Sequence, residues 1–192
     1  MCFFNLKKGD MILKYLIFSA FFLLFAYFVF RIAVRRDYKY YMKLSPISYI
    51  LETFVFGIHA NSIYLILPTQ WPNLPQLPDS QVVRIVSAII FLIGIVILFV
   101  AWFGLGTKTS LGIDKNRLIT SGLYKFSRNP QLVAYGLVLV SFTIMFFSWL
   151  TIIWVLLYLI ASYFMVKSEE EFLEQKYGQE YKKYYNSVPR IL

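Results

Sequence analysis

VVRIVSAIIFLIGIVILFVAWFGL, residues 82–105, carries one charged side chain, Arg84, and is otherwise apolar or small. A bilayer's hydrocarbon core takes roughly 20 helical residues, so the stretch reads as a complete membrane crossing. The composition of the whole chain agrees. Of 192 residues, 59% are hydrophobic and 20% aromatic, more apolar side chain than the outside of a water-facing domain can hide.

Three further apolar stretches surround it. The first runs from about Met11 to Phe30, with Lys7 and Lys8 before it and Arg31, Arg35 and Arg36 after it. No small-residue cleavage pattern follows, so it reads as an uncleaved anchor rather than a signal peptide. The second, from about Pro46 to Leu67, is interrupted by Glu52, His59 and Asn61 and enters a proline-dense loop, Pro68 to Pro78, without Lys or Arg. The last, from about Leu132 to Val166, is too long for one crossing and suits two, joined by a tight hairpin near Ser148 and Trp149. The expected fold is therefore all-α, a polytopic bundle of about five transmembrane helices forming one membrane domain over residues 1–192. Beyond Lys167, Phe172, Tyr177, Tyr181 and Tyr184 recur at helical spacing among charges, which suits C-terminal helices lying at the interface.

The formal net charge is +9 at pH 7. Lys and Arg gather at the ends of apolar runs rather than along one helix face, so membrane lipids, and not nucleic acid, are the expected partners. Arg31, Arg35, Arg36, Lys39 and Lys43 follow the first stretch, and Lys108, Lys115, Arg117, Lys125 and Arg128 follow the third. The proline loop and the hairpin tip have no basic residue. The positive-inside rule then places both basic segments and the C-terminal tail in the cytosol, with the N-terminus outside, in the plasma or inner membrane if the cell is prokaryotic. The single cysteine, Cys2, has no disulfide partner and no neighbours at metal-ligand spacing, so no metal site is expected. Oligomeric state has no sequence signal.

Polar residues beside the membrane concentrate in two places. One is the long loop from Gly104 to Gly136, whose glycines let backbone approach a ligand closely and whose Asn129 and Pro130 read as the N-cap and first residue of the next helix. The other is the run Ser168, Glu169, Glu170, Glu171 leaving the fifth helix. An antiparallel pairing of the fourth and fifth helices makes the two places neighbours. Each also has a plain structural explanation. Arg128 suits a headgroup anchor, Ser168 with Glu171 fits a capping box, and at least one of three adjacent carboxylates is expected to face solvent.

In combination these residues resemble the membrane methyltransferases that include isoprenylcysteine carboxyl methyltransferases and phospholipid N-methyltransferases. The resemblance rests on Gly104 and Gly106, Gly122 and Tyr124, Arg128, Asn129 and Pro130, Glu169 and Glu170, Leu173, Tyr177 and Gly178, and Tyr181 and Tyr184, in family order over residues 104–192. It implies a pocket open to the cytosol in which the glycine pair, the segment around Arg128 and the acidic pair hold S-adenosylmethionine. That donor carries a sulfonium, an ammonium, a carboxylate, ribose hydroxyls and a flat adenine, and carboxylates, a cation, close backbone and aromatics suit it. Glu169, Glu170 and Lys167 are the candidate catalytic residues.

Departures from the family pattern bear on the acceptor. Asn129 stands where many members have histidine, and Leu132 where they have tyrosine, with Tyr135 one turn on as a candidate substitute. Met165 and Val166 occupy the place of an arginine that the isoprenylcysteine branch is thought to use for its substrate carboxylate, and Lys167 is the nearest cation. The expected acceptor shifts from prenylated cysteine, the alternative, toward a lipid-like amine or other small apolar molecule. Glu52 and His59 lie nearly on one face of the second helix, as a functional pair or a packing pair. The rival of another class is a non-catalytic membrane scaffold that keeps the helices and binds no donor.

Overall fold

The computed structural model describes residues 2–67, 75–105 and 118–191, and among them the regular structure is helical throughout. Helix α1 (Cys2–Tyr27) passes through a π-helical stretch, Phe28–Val34, into α2 (Arg35–Tyr41). Arg31, Arg35, Arg36 and Lys39 therefore ride on a continuous rod instead of forming a loop. The wider π turn lets the helix absorb an extra residue without ending. Met42, at φ 56°, turns the chain, and Ser45 caps α3 (Pro46–Asn61), accepting from Ser48 N–H at 3.2 Å. The buried Asp37 carboxylate ties the corner, accepting from Ser45 N–H at 2.9 Å.

α3 gives way to a 3-10 turn at Ser62–Leu65. Asn61 Nδ2 donates to Gly57 O and Ser62 Oγ to His59 O, local bonds that compete with continued helix. α4 spans Gln81–Leu105, a short 3-10 turn covers Gly122–Lys125, and α5 (Pro130–Met145) and α6 (Trp149–Tyr177) form a hairpin. Its corner falls where the sequence places it: Ser148 Oγ accepts from Thr151 N–H and Thr151 Oγ1 from Ser148 N–H, a capping box built with threonine. Gly178, at φ 51° and ψ −118°, a region open essentially to glycine, reverses the chain into α7 (Gln179–Ser187).

Three stretches, Ile12–Tyr41, Gln81–Gly104 and Trp149–Tyr177, are long and apolar enough to cross a bilayer. α3 and α5 have 16 residues each, about 24 Å of helix against a core of about 30 Å. The stretches expected as second and fourth crossings thus end short, one at the Asn61–Ser62 break and one at the hairpin corner. α6 departs in the other direction. It continues unbroken through the acidic run to Tyr177, so Ser168 caps nothing, and the interfacial tail begins only at α7, where Tyr181 and Tyr184 are buried and Lys182 and Lys183 exposed.

The core lies between α1, α3 and α6, around Phe22, Phe30, His59, Trp154 and Tyr158. His59 Nε2 donates to Trp154 O at 2.9 Å, Trp154 Nε1 donates to His59 O at 2.8 Å, and the two rings stack 5.2 Å apart. Nδ1 of His59 is left to accept from Tyr135 Oη at 3.3 Å. His59 therefore joins α3 to α6 as a packing residue.

α4 packs against α5 through buried Ser87, Gly94 and Ala101 at seven-residue intervals. A Cβ on Gly94 would lie 2.9 Å from Ala134 O and 3.1 Å from Val138 Cγ2. Apolar side chains gain little by leaving lipid for protein, so close backbone approach through small residues holds such a pair. The opposite face of α4, including Ile89, Leu92, Val96, Phe99 and Phe103, is exposed and suits lipid tails.

Candidate functional site

The hairpin brings the start of α5 beside the late turns of α6, and the turn at Gly178 packs α7 against α6 and the segment that leads into α5. Between them is a crevice lined by Tyr124, Arg128, Asn129 and Leu132 on one side and by Met165, Glu169, Glu170, Tyr181 and Tyr184 on the other. The residues read from the sequence as its two halves thus meet in one place. Its enclosed volume is about 110 Å³, below the 300 to 1,000 Å³ of typical small-molecule sites. The described residues therefore enclose only part of a ligand of nucleoside size.

Charge on the crevice wall is organised around Glu170. Its Oε1 lies 2.9 Å from Arg128 Nη1 and accepts from Arg190 Nε at 3.0 Å, while Oε2 accepts from Arg190 Nη2 at 2.5 Å. Arg128 is 8% exposed, stacks its guanidinium 3.9 Å over the Tyr185 ring and donates from Nη1 to Tyr181 Oη at 3.3 Å. Among the described residues its buried Nε–H has no hydrogen-bond partner, an uncompensated cost unless something else accepts from it. Burial first, and then the charge of Glu170, raises the Tyr181 hydroxyl above its ordinary value. Burial likewise pushes Tyr184 up to about 12, and Tyr184 Oη donates to Tyr124 O at 2.7 Å. The bonds to Glu170 raise Arg190 further above its already high value.

Glu171 turns the other way around α6. It is held by Arg31 Nη2 at 2.9 Å and Arg35 Nε at 2.5 Å, and Ser168 Oγ accepts from Arg31 Nη1 and donates to Phe30 O. So Glu170 and Glu171 are both engaged, each by different arginines, and Glu169 faces the crevice. The expectation that one of the three carboxylates is idle in solvent does not hold, because α2 and α7 approach α6 from two directions.

The remaining candidates sort as follows. Asn129 occupies the N-cap position of α5, and its carbonyl accepts from Leu132 and Val133 N–H, but its side chain does not cap; Nδ2 donates to Arg190 O at 3.0 Å. Pro130 is the first residue of α5 and is buried. Gly122, at φ 62°, supplies the left-handed turn that presents Tyr124. Gly104 stands in open space at the end of α4 and does not line the crevice; Gly106 lies outside the described residues. Tyr135 is not on the lining either. It sits deeper, against His59, Phe56 and Tyr158, because one turn along α5 moves the side chain into the bundle. Lys167 lines a neighbouring crevice with Glu174, Lys182 and Arg190 that shares Glu170 and Tyr181 with the first, its Nζ 5.9 Å from the Tyr163 ring. Glu52 is partly buried on α3, while the bonds of His59 go to Trp154 and Tyr135.

Arg190 has no sequence signal of its own and becomes visible only through the fold. Arg31 and Arg35 had one: four residues apart on a helix, they share a face.

The bundle thus carries an arginine–carboxylate crevice where the hairpin of α5 and α6 meets the short helix α7. The sequence model described as phospholipid methyltransferase matches residues 82–180, just over half of the chain, and the chain belongs to that family of membrane methyltransferases. No curated protein and no solved structure matches it. The matched region runs from α4 into the first turn of α7 and includes Arg128, Glu169 and Glu170.

Proposed function

We propose that the protein takes a methyl group from S-adenosylmethionine held in this crevice and passes it to a lipid-like or small apolar acceptor at the cytosolic membrane face. The observation that carries the reading is the nearly buried Arg128, whose Nε–H has no partner among the described residues, in a wall shared with Glu169, Tyr124 and Tyr181. Arg128 would hold the donor's carboxylate, and Glu169 its ammonium or ribose hydroxyls. The donor's contribution, when bound, is a methyl group made electrophilic by its sulfonium. The chain's own task is alignment and the exclusion of water, and Leu132, Met165, Val166 and Leu173 supply an apolar side to the crevice for both.

Those apolar residues also bear on the acceptor. A carboxylate acceptor would have to sit beside Glu169 and Glu170, and Met165 offers no cation to offset the repulsion. Lys167 lies in the other crevice. An amine has the opposite need: it must lose a proton to attack, and a nearby carboxylate can take that proton or steady the developing cation. An amphipathic amine is therefore favoured over prenylated cysteine, its tail entering from the bilayer and its head meeting the donor.

Purified protein is to be incubated with methyl-labelled donor and, in parallel, phosphatidylethanolamine, simple amphipathic amines and a farnesylcysteine analogue. Label in the amines is expected. Label in the farnesyl analogue alone would overturn the acceptor preference, and a protein that neither transfers label nor binds donor is the scaffold instead. For orientation, in a Cys2→Ser background, a cysteine at Asn73 should be labelled from outside intact cells and one at Asn116 should not; the reverse would remove the site from the cytosol.

A further inference from the structure

Arg190 does not line the crevice, yet it grips the segment that builds it. Pro189 O accepts from Arg128 N–H at 2.9 Å, and Arg190 O accepts from Asn129 Nδ2 at 3.0 Å and from Ser127 Oγ at 3.3 Å. Its side chain meets Glu170 in a bidentate pair. A glutamate carboxylate on its own turns freely about its last torsion, which is broad. Two parallel N–H donors in a rigid fork fix its plane. Oε1, once fixed, is the oxygen that faces Arg128 Nη1. The same short segment therefore controls Arg128 twice, through its backbone N–H and through the carboxylate that holds its guanidinium.

We propose that Arg190 is a positioning residue of the donor site: by fixing the Glu170 carboxylate, and with Pro189 the backbone of residues 127–129, it sets the direction of the Arg128 guanidinium. This rests on the donor reading of the crevice. Arg190 touches neither donor nor acceptor and acts only through Glu170 and the 127–129 backbone. The near-burial of Arg128 gives the arrangement its leverage, because a guanidinium without bulk water around it takes its orientation from the few groups that hold it.

The test uses the full chain in lipid nanodiscs and three variants, Arg190→Gln, Arg190→Lys and Glu170→Gln, with the Arg190→Gln/Glu170→Gln double variant. Donor binding is measured by calorimetry with S-adenosylmethionine, and hydrogen exchange of the 124–133 amides is followed without donor. Arg190→Gln should weaken donor binding about tenfold, the scale of one charge-assisted hydrogen bond, and speed exchange over 124–133 while leaving α4 unchanged. In the Glu170→Gln background the same change should cost less than about twofold, since residues acting through one another are not additive. Arg190→Lys keeps the charge without the fork and should lose about threefold or more. That variant carries the test if Arg190→Gln does not fold. Wild-type affinity in a folded Arg190→Gln or Arg190→Lys protein, or losses that simply add in the double variant, would overturn the role of Arg190 alone. Absence of donor binding in the unsubstituted protein would overturn the donor reading, and the proposal with it.

Discussion

Glu170 and Glu171 are adjacent on α6, and each is held by two arginines, yet the two clusters differ in what surrounds them. On the Glu170 side the carboxylate is 14% exposed and Arg128 8%. On the Glu171 side Glu171 is 37% exposed, Arg35 53% and Arg31 13%, while Arg190, the second arginine on Glu170, is 36% exposed. An ion pair near water gains little, typically about 0 to 1 kcal/mol. Breaking a buried pair from one side costs about 3 to 5 kcal/mol, because a charge is stranded. The same chemistry therefore fastens the Phe28–Val34 stretch and α2 to α6 on one face and shapes the wall of the proposed donor crevice on another. Each cluster pairs one nearly buried arginine with a more open one, and the burial of the carboxylate itself separates the two uses.

The most severe way to break this contrast is Arg128→Ala. It removes the buried cation and strands Glu170 beside Arg190 alone; donor affinity should fall by about 100-fold or more, and calorimetry that detects near-normal binding would erase the functional side of the comparison. Glu170→Gln comes next. It keeps the shape and an acceptor oxygen but loses the charge, so donor binding should weaken by roughly 10 to 100-fold, from about 1.5 to 3 kcal/mol of charge-assisted bonding. Glu171→Gln should leave donor affinity within about twofold and lower unfolding stability by about 1 kcal/mol or less. If calorimetry and denaturant melts show Glu171→Gln hurting donor binding as much as Glu170→Gln, the acidic run acts as one unit and the division between its faces is wrong.

The smallest expected effect is one of pH. Tyr184 is raised to about 12 from an ordinary 10.0, and Tyr181 is raised in the same sense. The unfolded chain then loses these protons first as pH rises. Their contribution is complete below about pH 10 and declines as pH climbs from there toward 12. Melts between pH 9 and 11 should show stability falling in the upper part of that range, and Tyr184→Phe should flatten the decline; a slope unchanged in that variant would assign the alkaline loss to other groups.

Much of this architecture is legible in the sequence because length and apolarity act locally. Residues 82–105 and the hairpin at Ser148 need no knowledge of neighbours, and Gly122, Arg128 and Glu169–Glu170 come as a spaced set that α5 and α6 bring together. What escapes reading depends on distant partners. Arg31, Arg35 and Arg36 end an apolar run and so look like the start of a loop, although Glu171, far along the chain, lets the helix continue through them. Ser168 resembles a cap because its actual partner, Phe30 O, is 138 positions away. His59 attracts attention as an ionisable group at membrane depth, and only Trp154 explains it. Tyr135 lies at a plausible spacing, but one turn along α5 carries it into the bundle, and Lys167 opens onto the neighbouring crevice. Ser87, Gly94 and Ala101 do carry a signal in their seven-residue interval, but a search for polar chemistry passes over small residues.

The bonds from residues 127–129 to Pro189 and Arg190 also set an order of events during synthesis. Asn129 and Arg190 are 61 positions apart, so at about 5 to 20 residues per second a ribosome needs roughly 3 to 12 s to make the second after the first. α6 itself is complete only at Tyr177, so the full hairpin precedes Arg190 by 13 residues, about 0.7 to 2.6 s of synthesis, and until then Arg128 has no Glu170–Arg190 pair to hold it and no Pro189 carbonyl to take its N–H. The crevice is thus completed only after the hairpin that frames it has been made.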